Sequence, residues 1–231
     1  MLYHKLSTTT MNILDFIFPR KCVSCGRFGA YVCPSCLLKI ELVQNPICPI
    51  CQRQAVGGRV HPGCKTKYNL DGLVVGFRYR GPIKLSISKI KYKWIWDIAY
   101  TVIDLFSEQI WKFNIPGDFV LVPIPLHTKR KNWRGFNQAE LICQILAKKF
   151  GCQLENLLKR HVETKTQVGL TREERKKNIK NAFTVNKYDI RGRTIILVDD
   201  VYTTGATMGE ACRVLKQDGA SVVWGMAIAL G

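Results

Sequence analysis

The chain has no apolar run approaching the ~18 residues that a membrane-spanning helix needs, so no span is expected. Its first ten residues are mostly polar, and the apolar stretch Asn12–Phe18 is too short and too poorly flanked for a secretory segment. A cytoplasmic protein is expected. Acidic residues are scarce, 17 against 35 Lys and Arg, which leaves a net charge of +18 and points toward anionic partners. Apolar residues are not scarce, and a fraction of 47% excludes a disordered chain. They are nevertheless sparse between Cys22 and Cys64, and that stretch cannot build a core unaided. With 231 residues, the chain has room for one α/β domain and a small appended module.

What fills the core-poor stretch is cysteine. Seven of the ten cysteines lie there, as Cys22-x-x-Cys25, Cys33-x-x-Cys36, Cys48-x-x-Cys51 and His61-x-x-Cys64. A Cys-x-x-Cys turn aims two sulfurs inward, and two such pairs complete a tetrahedron around zinc. Disulfides fit poorly with a chain lacking a secretory signal, and no thioredoxin-like pattern surrounds any pair. The simplest pairing gives one zinc to Cys22, Cys25, Cys33 and Cys36 and another to Cys48, Cys51, His61 and Cys64. Spacing alone also permits an interleaved pairing. Either way the protein fills all four positions, so about two zincs are expected and both are structural. Cys143, Cys152 and Cys212 are isolated and are expected to play no such part.

The other concentrated signal runs from Thr194 to Met208. Ile195–Val198 are apolar without alternation, as in a strand buried on both faces of a parallel sheet. Asp199 and Asp200 stand where that strand is expected to end. A loop follows, Val201, Tyr202, Thr203, Thr204, Gly205, Ala206 and Thr207, and then a segment of helical composition. Backbone N–H groups at such a loop and helix start can cradle a phosphate, while adjacent carboxylates can accept hydrogen bonds from vicinal sugar hydroxyls. A ribose 5-phosphate is the implied ligand. No lysine follows in the manner of a nucleotide triphosphatase loop. The stretch resembles the phosphoribosyl pyrophosphate (PRPP) signature of type I phosphoribosyltransferases.

Elsewhere, Leu73–Tyr79 reads as a strand, and Ile83 to Trp111 carries helical periodicity with Lys84, Lys89, Lys91 and Lys93 crowding its first part. Asp118–Leu126 reads as a strand ended by prolines. After it comes a basic loop with His127, Lys129, Arg130, Lys131 and Arg134, where a pyrophosphate would find cations. A helix through Lys149, a strand over Gln153–Lys159, a polar connection over 160–181 and a strand from Ala182 follow. The polar connection holds Lys165, Arg172 and Arg175 and is long enough to read as a functional lid. The closing strand is Ser221–Leu230. Charge is uneven: +6 over residues 1–71, +3 over 72–111, +11 over 112–194 and −2 over 195–231.

In that order the pieces resemble the ComF family of competence-associated proteins, over roughly residues 12 to 231. VPIPLHTKRKNWRGFNQAELI and KTQVGLTREERKKNIKNAF carry the likeness beyond the PRPP loop. The resemblance implies an α/β fold with a five-stranded, mostly parallel sheet of phosphoribosyltransferase type. It divides the chain into a short apolar N-terminal helix (1–20), a double zinc ribbon (21–68) and the phosphoribosyltransferase-like domain (69–231). It also implies a PRPP site, Mg2+ accompanying PRPP, single-stranded DNA as a partner, and DNA-uptake helicase or channel proteins nearby. A true transferase moving ribose 5-phosphate from PRPP onto a nitrogen acceptor is the alternative.

Overall fold

The computed structural model describes residues 19–92, 96–162, 171–186 and 189–231. The apolar N-terminal helix expected over residues 1–20 therefore lies almost wholly outside the described residues.

Five strands form the main sheet: β1 (Gly72–Arg78), β2 (Val120–Pro123), β3 (Gln153–Leu154), β6 (Thr194–Tyr202) and β7 (Val222–Leu230). Their spatial order is β1-β7-β6-β2-β3, and every pair is parallel. Two further strands, β4 (Leu158–Arg160) and β5 (Phe183–Val185), make a separate antiparallel ribbon.

The uninterrupted apolar run of β6 has its explanation in the two layers around it. Side chains alternate across a strand, and here both faces are covered. Ile195 and Leu197 join Leu73, Val75 and Val122 under helix α6 (Ala206–Gln217), which contributes Met208, Ala211, Cys212 and Leu215. Ile196 and Val198 face the opposite layer. That layer is built by α1 (Gly81–Tyr92), α2 (Trp96–Ser107) and α4 (Gln138–Phe150), through Ile87, Val102, Phe106, Ile142 and Leu146. Polar side chains on either face would have no water to meet.

Four expectations change in detail. The periodic stretch from Ile83 is two helices, α1 and α2, and Trp111 sits in a separate turn of 3-10 helix at Ile110–Lys112. The strand read over Gln153–Lys159 is divided. Its first two residues extend the main sheet beside β2, the Glu155 N–H then donates to Leu121 O at 3.0 Å, and Leu158 turns away to pair with Val185. The basic loop after β2 is instead a short helix, α3 (Thr128–Arg134). Its first turn is capped by the His127 ring, which accepts from the Lys129 N–H, and Gly135 ends it in the left-handed region. Finally, the polar connection contains helix α5 (Arg172–Ile179), opened by a capping box between Thr171 and Glu174. Ile179 anchors α5 in the core, and Asn181 ties its end to α6 through Glu210 and Arg213.

The cysteine-rich segment is docked on the sheet. Its stretch from Glu41 to Val43 lies antiparallel to β1, with Arg78 N–H donating to Glu41 O (2.8 Å) and Val43 N–H to Gly76 O (2.9 Å). The segment thereby pairs the free edge of the sheet, which would otherwise expose unpaired backbone groups. At the other end of the same edge, Arg59 bridges to Gly72 and Val60 N–H donates to Asp71 O. Among the described residues, no helix is long and apolar enough to cross a membrane.

Candidate phosphate and metal sites

Strand β2 stops at Pro123, opposite Val198, while β6 stays paired with β7 as far as Tyr202 and Leu230. The acids were expected at the end of their strand, yet they lie inside it. Pairing with β7 continues past them, and only the β2 side opens. Asp199 and Asp200 therefore stand at the carboxyl ends of the strands, the end at which open α/β sheets bind ligands. Thr203, Thr204 and Gly205 follow, and Ala206 opens α6. Thr204 Oγ1 accepts from the Ala206 N–H at 3.4 Å. The Thr207 side chain is half-buried in the first turn of that helix.

The two acids differ in environment. Asp200 Oδ2 meets Lys91 Nζ of α1 at 2.7 Å. Burial works against the Lys91 charge, but the Asp200 carboxylate, with Tyr79 and Asp199 beyond it, outweighs that and raises the lysine pKa. Asp199 accepts the backbone N–H of Asp200 at 2.8 Å. Its pKa is nevertheless pushed up to about 7, first by desolvation and then by the Asp200 charge; Asp200 N–H, Lys91 and Arg160 pull it back only in part. Lys91 and Arg160 were not among the expected site residues. Lys91 lies in a periodic, lysine-rich helix that reads equally well as a solvated face, so no local signal marks it.

Helix α3 follows β2 at the same end of the sheet and carries Lys129, Lys131 and Arg134. Asn137 fixes the chain there: its side chain donates to Ile124 O at 3.0 Å and caps α4 through the Ala139 N–H at 3.1 Å. Arg130 is in α3, and Arg172 and Arg175 are in α5, but nothing is described of their side chains. Lys165 lies outside the described residues. Tyr202, expected with the phosphate loop, has its side chain buried, with the hydroxyl donating to Pro49 O at 2.6 Å. A separate depression of about 900 Å³ lies at the other end of the sheet, near Phe119, Phe150 and Arg193. Arg193 there is already paired with Glu155, and among the described residues no acid-and-hydroxyl loop lines it.

The cysteines group in the simplest of the two pairings. Cys22, Cys25, Cys33 and Cys36 converge, as do Cys48, Cys51, His61 and Cys64, with all four donor atoms of each set within 4.8 Å of one another. Soft sulfurs and one imidazole at that spacing fit tetrahedral zinc. The imidazole is oriented for it. His61 Nδ1 faces Cys51 Sγ at 3.3 Å while Nε2 lies 2.9 Å from Gln54 O, the arrangement by which an outer partner fixes a ligating histidine. The Cys51 thiol is held down at about 6, first by the Arg53 backbone and side chain, which favours the thiolate a metal requires.

Comparison with known proteins identifies the two parts of the chain. Residues 137–229 match the phosphoribosyl transferase domain family and residues 13–65 the double zinc ribbon domain family. Fold and sites thus define a phosphoribosyltransferase-type α/β domain carrying a double zinc ribbon. Competence protein F of Haemophilus influenzae is 30% identical over 226 residues, covering 87% of this chain and 98% of that protein. DNA utilization protein YhgH of Escherichia coli is 31% identical over 208 residues, with 86% and 88% covered. Competence protein ComFC of Bacillus subtilis is 32% identical over 201 residues, with 81% and 79% covered. The chain belongs to this ComF family of competence proteins. Among solved structures, the glutamine PRPP amidotransferase of B. subtilis aligns with a TM-score of 0.40 at 14% identity, over 62% of this chain and 30% of that one.

Two outcomes are expected. Native mass spectrometry of the purified chain should find about two zincs, and Cys48→Ser should remove one of them while leaving the Cys22 cluster loaded. The second concerns Asp199. Between its ordinary value of 3.8 and about 7, the folded state binds a proton that the unfolded state has released, so this group makes stability fall as pH rises through that window. Asp199→Asn lacks the titration. Its stability advantage over the wild type, read from urea melts, should grow from pH 5.5 to 8, and a gap independent of pH would count against the burial of this carboxyl.

Proposed function

We propose that this chain binds PRPP at the carboxyl end of its sheet and handles single-stranded DNA during DNA uptake. The observation that carries the PRPP reading is the pair of acids on β6, left beyond the end of β2 and followed by a hydroxyl-rich loop opening α6. In this reading Thr203–Thr207 hold the 5-phosphate, and Asp199 and Asp200 hold the ribose hydroxyls. Cations of α3 face the pyrophosphate: Lys129, Arg130 and Arg134, with His127 at its cap. Lys165, Arg172 and Arg175 belong to the lid. Mg2+ would neutralise part of the pyrophosphate charge when PRPP is bound.

The DNA reading is supported by the names of the relatives, two of them competence proteins and one a DNA utilization protein. The surface is consistent with it. Trp133 is 72% exposed on α3, between cations and with no acid in the helix. An exposed aromatic among cations is how single strands are held without sequence preference.

The alternative reading, an active transferase, draws on Asp199. A carboxyl poised near pH 7 could accept the proton from a nitrogen acceptor as the C1–N bond forms and pyrophosphate leaves with the electrons of the C1–O bond. Pyrophosphate release that depends on an added nitrogen acceptor would decide for it.

Calorimetry with PRPP should show binding that Asp200→Ala weakens by ~1–2 kcal/mol, because charge-assisted hydrogen bonds are lost. Unchanged affinity would remove Asp200 from the site. For DNA, anisotropy of a labelled oligonucleotide should show affinity collapsing with salt, at a slope of about −0.7 per neutralised phosphate. If the lid closes over pyrophosphate, PRPP should also weaken DNA binding by reciprocal linkage. Salt-insensitive binding would defeat the electrostatic part, and identical curves with and without PRPP the coupling.

A further inference from the structure

Two hydrogen bonds join the second zinc knuckle to the phosphate loop. Tyr202, the last residue of β6, donates its buried hydroxyl to Pro49 O at 2.6 Å, inside the Cys48–Cys51 turn. Gln52, the residue after Cys51, donates Nε2 to Thr203 O at 2.7 Å. These contacts bracket the start of the loop. Gly205 completes the arrangement, since a Cβ there would collide with the Tyr202 hydroxyl. The loop is thus folded around a side chain whose own position is set by the metal knuckle.

The knuckles themselves supply a second observation. Both turn in the same way: Gly26 N–H donates to Cys22 O and Gln52 N–H to Cys48 O, at 2.9 and 3.0 Å. Each then places the residue after its second cysteine in the left-handed region, Gly26 at φ 76° and Gln52 at φ 57°. Glycine takes that conformation freely, whereas another residue is strained there by ~1 kcal/mol or more. The first knuckle has the residue the turn prefers. The second carries a strained glutamine, and its side chain is the one that reaches Thr203.

We infer that the second zinc knuckle is the positioning clamp of the phosphate loop, so that the order of Thr203–Thr207, and with it affinity for a phosphate-bearing ligand, depends on metal at Cys48, Cys51, His61 and Cys64. Gln52 and Tyr202 are positioning residues in this scheme; Gln52 works through the Thr203 carbonyl and Tyr202 through packing beneath Gly205. The identity of the ligand rests on the proposed function, but the clamp itself does not.

Three proteins test this: the full chain, Gln52→Gly and Tyr202→Phe, each checked for zinc content by native mass spectrometry. Gln52→Gly gives the second knuckle the residue type of the first, so it should keep both zincs and its stability. Hydrogen exchange at 203–207, measured without ligand, should nonetheless quicken in both variants by about threefold or more, the scale set by losing one hydrogen bond. PRPP and inorganic phosphate should each bind about three- to tenfold more weakly. Selective removal of the second zinc from the full chain with a mild chelator should quicken exchange at 203–207 while β7 stays protected. Should Tyr202→Phe lose zinc, Gln52→Gly and the chelated full chain carry the test. Unchanged loop exchange in the zinc-loaded Gln52→Gly and in the chelated chain would overturn the clamp. If the unmodified chain fails to bind PRPP, the ligand assignment falls, and the exchange comparison still decides the clamp.

Discussion

Strand β6 carries its pairing with β7 four residues past Val198, where its pairing with β2 ends. The rest of the site depends on that mismatch in length. A proline at the end of β2 cannot donate to a ladder, and beyond it the chain leaves the sheet. Asp199 and Asp200 are the first residues of β6 beyond that point, and being consecutive they project to opposite faces of the sheet. The same end of the sheet thus carries both the unpaired stretch of β6 and its charge. The energetic tension follows at once: two carboxylates are held close together and partly desolvated, and the structure answers with Lys91 from α1 and with a proton on Asp199 near neutral pH.

The ribbon module belongs to the same construction. A module with so few apolar residues cannot hold its shape by burial, and zinc at two four-ligand clusters supplies what a core would. It is fastened at two places of different kind. Along β1 it completes the sheet by backbone pairing, which is indifferent to side-chain identity. At Pro49 and Gln52 it meets the phosphate loop through particular side chains. The first attachment settles where the module sits, and the second links its metal to the loop. A family match divided between residues 13–65 and 137–229 describes two domains, and two hydrogen bonds, Tyr202 to Pro49 and Gln52 to Thr203, join them.

Charge separates along similar lines. The segment from Ile195 onward is net negative, while the segment containing α3 and α5 is strongly positive. These meet at the carboxyl end of the sheet, where sugar hydroxyls would find acceptors and phosphate groups would find donors and cations. A highly charged anion bound there would be met by both signs, each at a different part of its length.

Much of this was legible in the sequence, for reasons of period and spacing. An unbroken apolar run at Ile195–Val198 requires burial on both faces, and Cys-x-x-Cys turns place sulfurs together by local geometry alone. The order acid, acid, hydroxyl-rich loop and helix is local as well. What the sequence did not contain is anything set by partners far along the chain. Which cysteine pairs share a metal, where β6 stops being flanked, and how Gln153–Lys159 divides between two sheets all follow from docking. Lys91 looks like any solvated lysine until α1 packs over the acids. Tyr202 looks like a residue of the ligand loop until its hydroxyl is found on a carbonyl 153 positions away. The sequence by itself determined the elements and the chemistry each could carry, because backbone period and turn geometry act over a few residues. Only the tertiary structure decided which of those groups touch, because packing and desolvation act between segments that no local pattern connects.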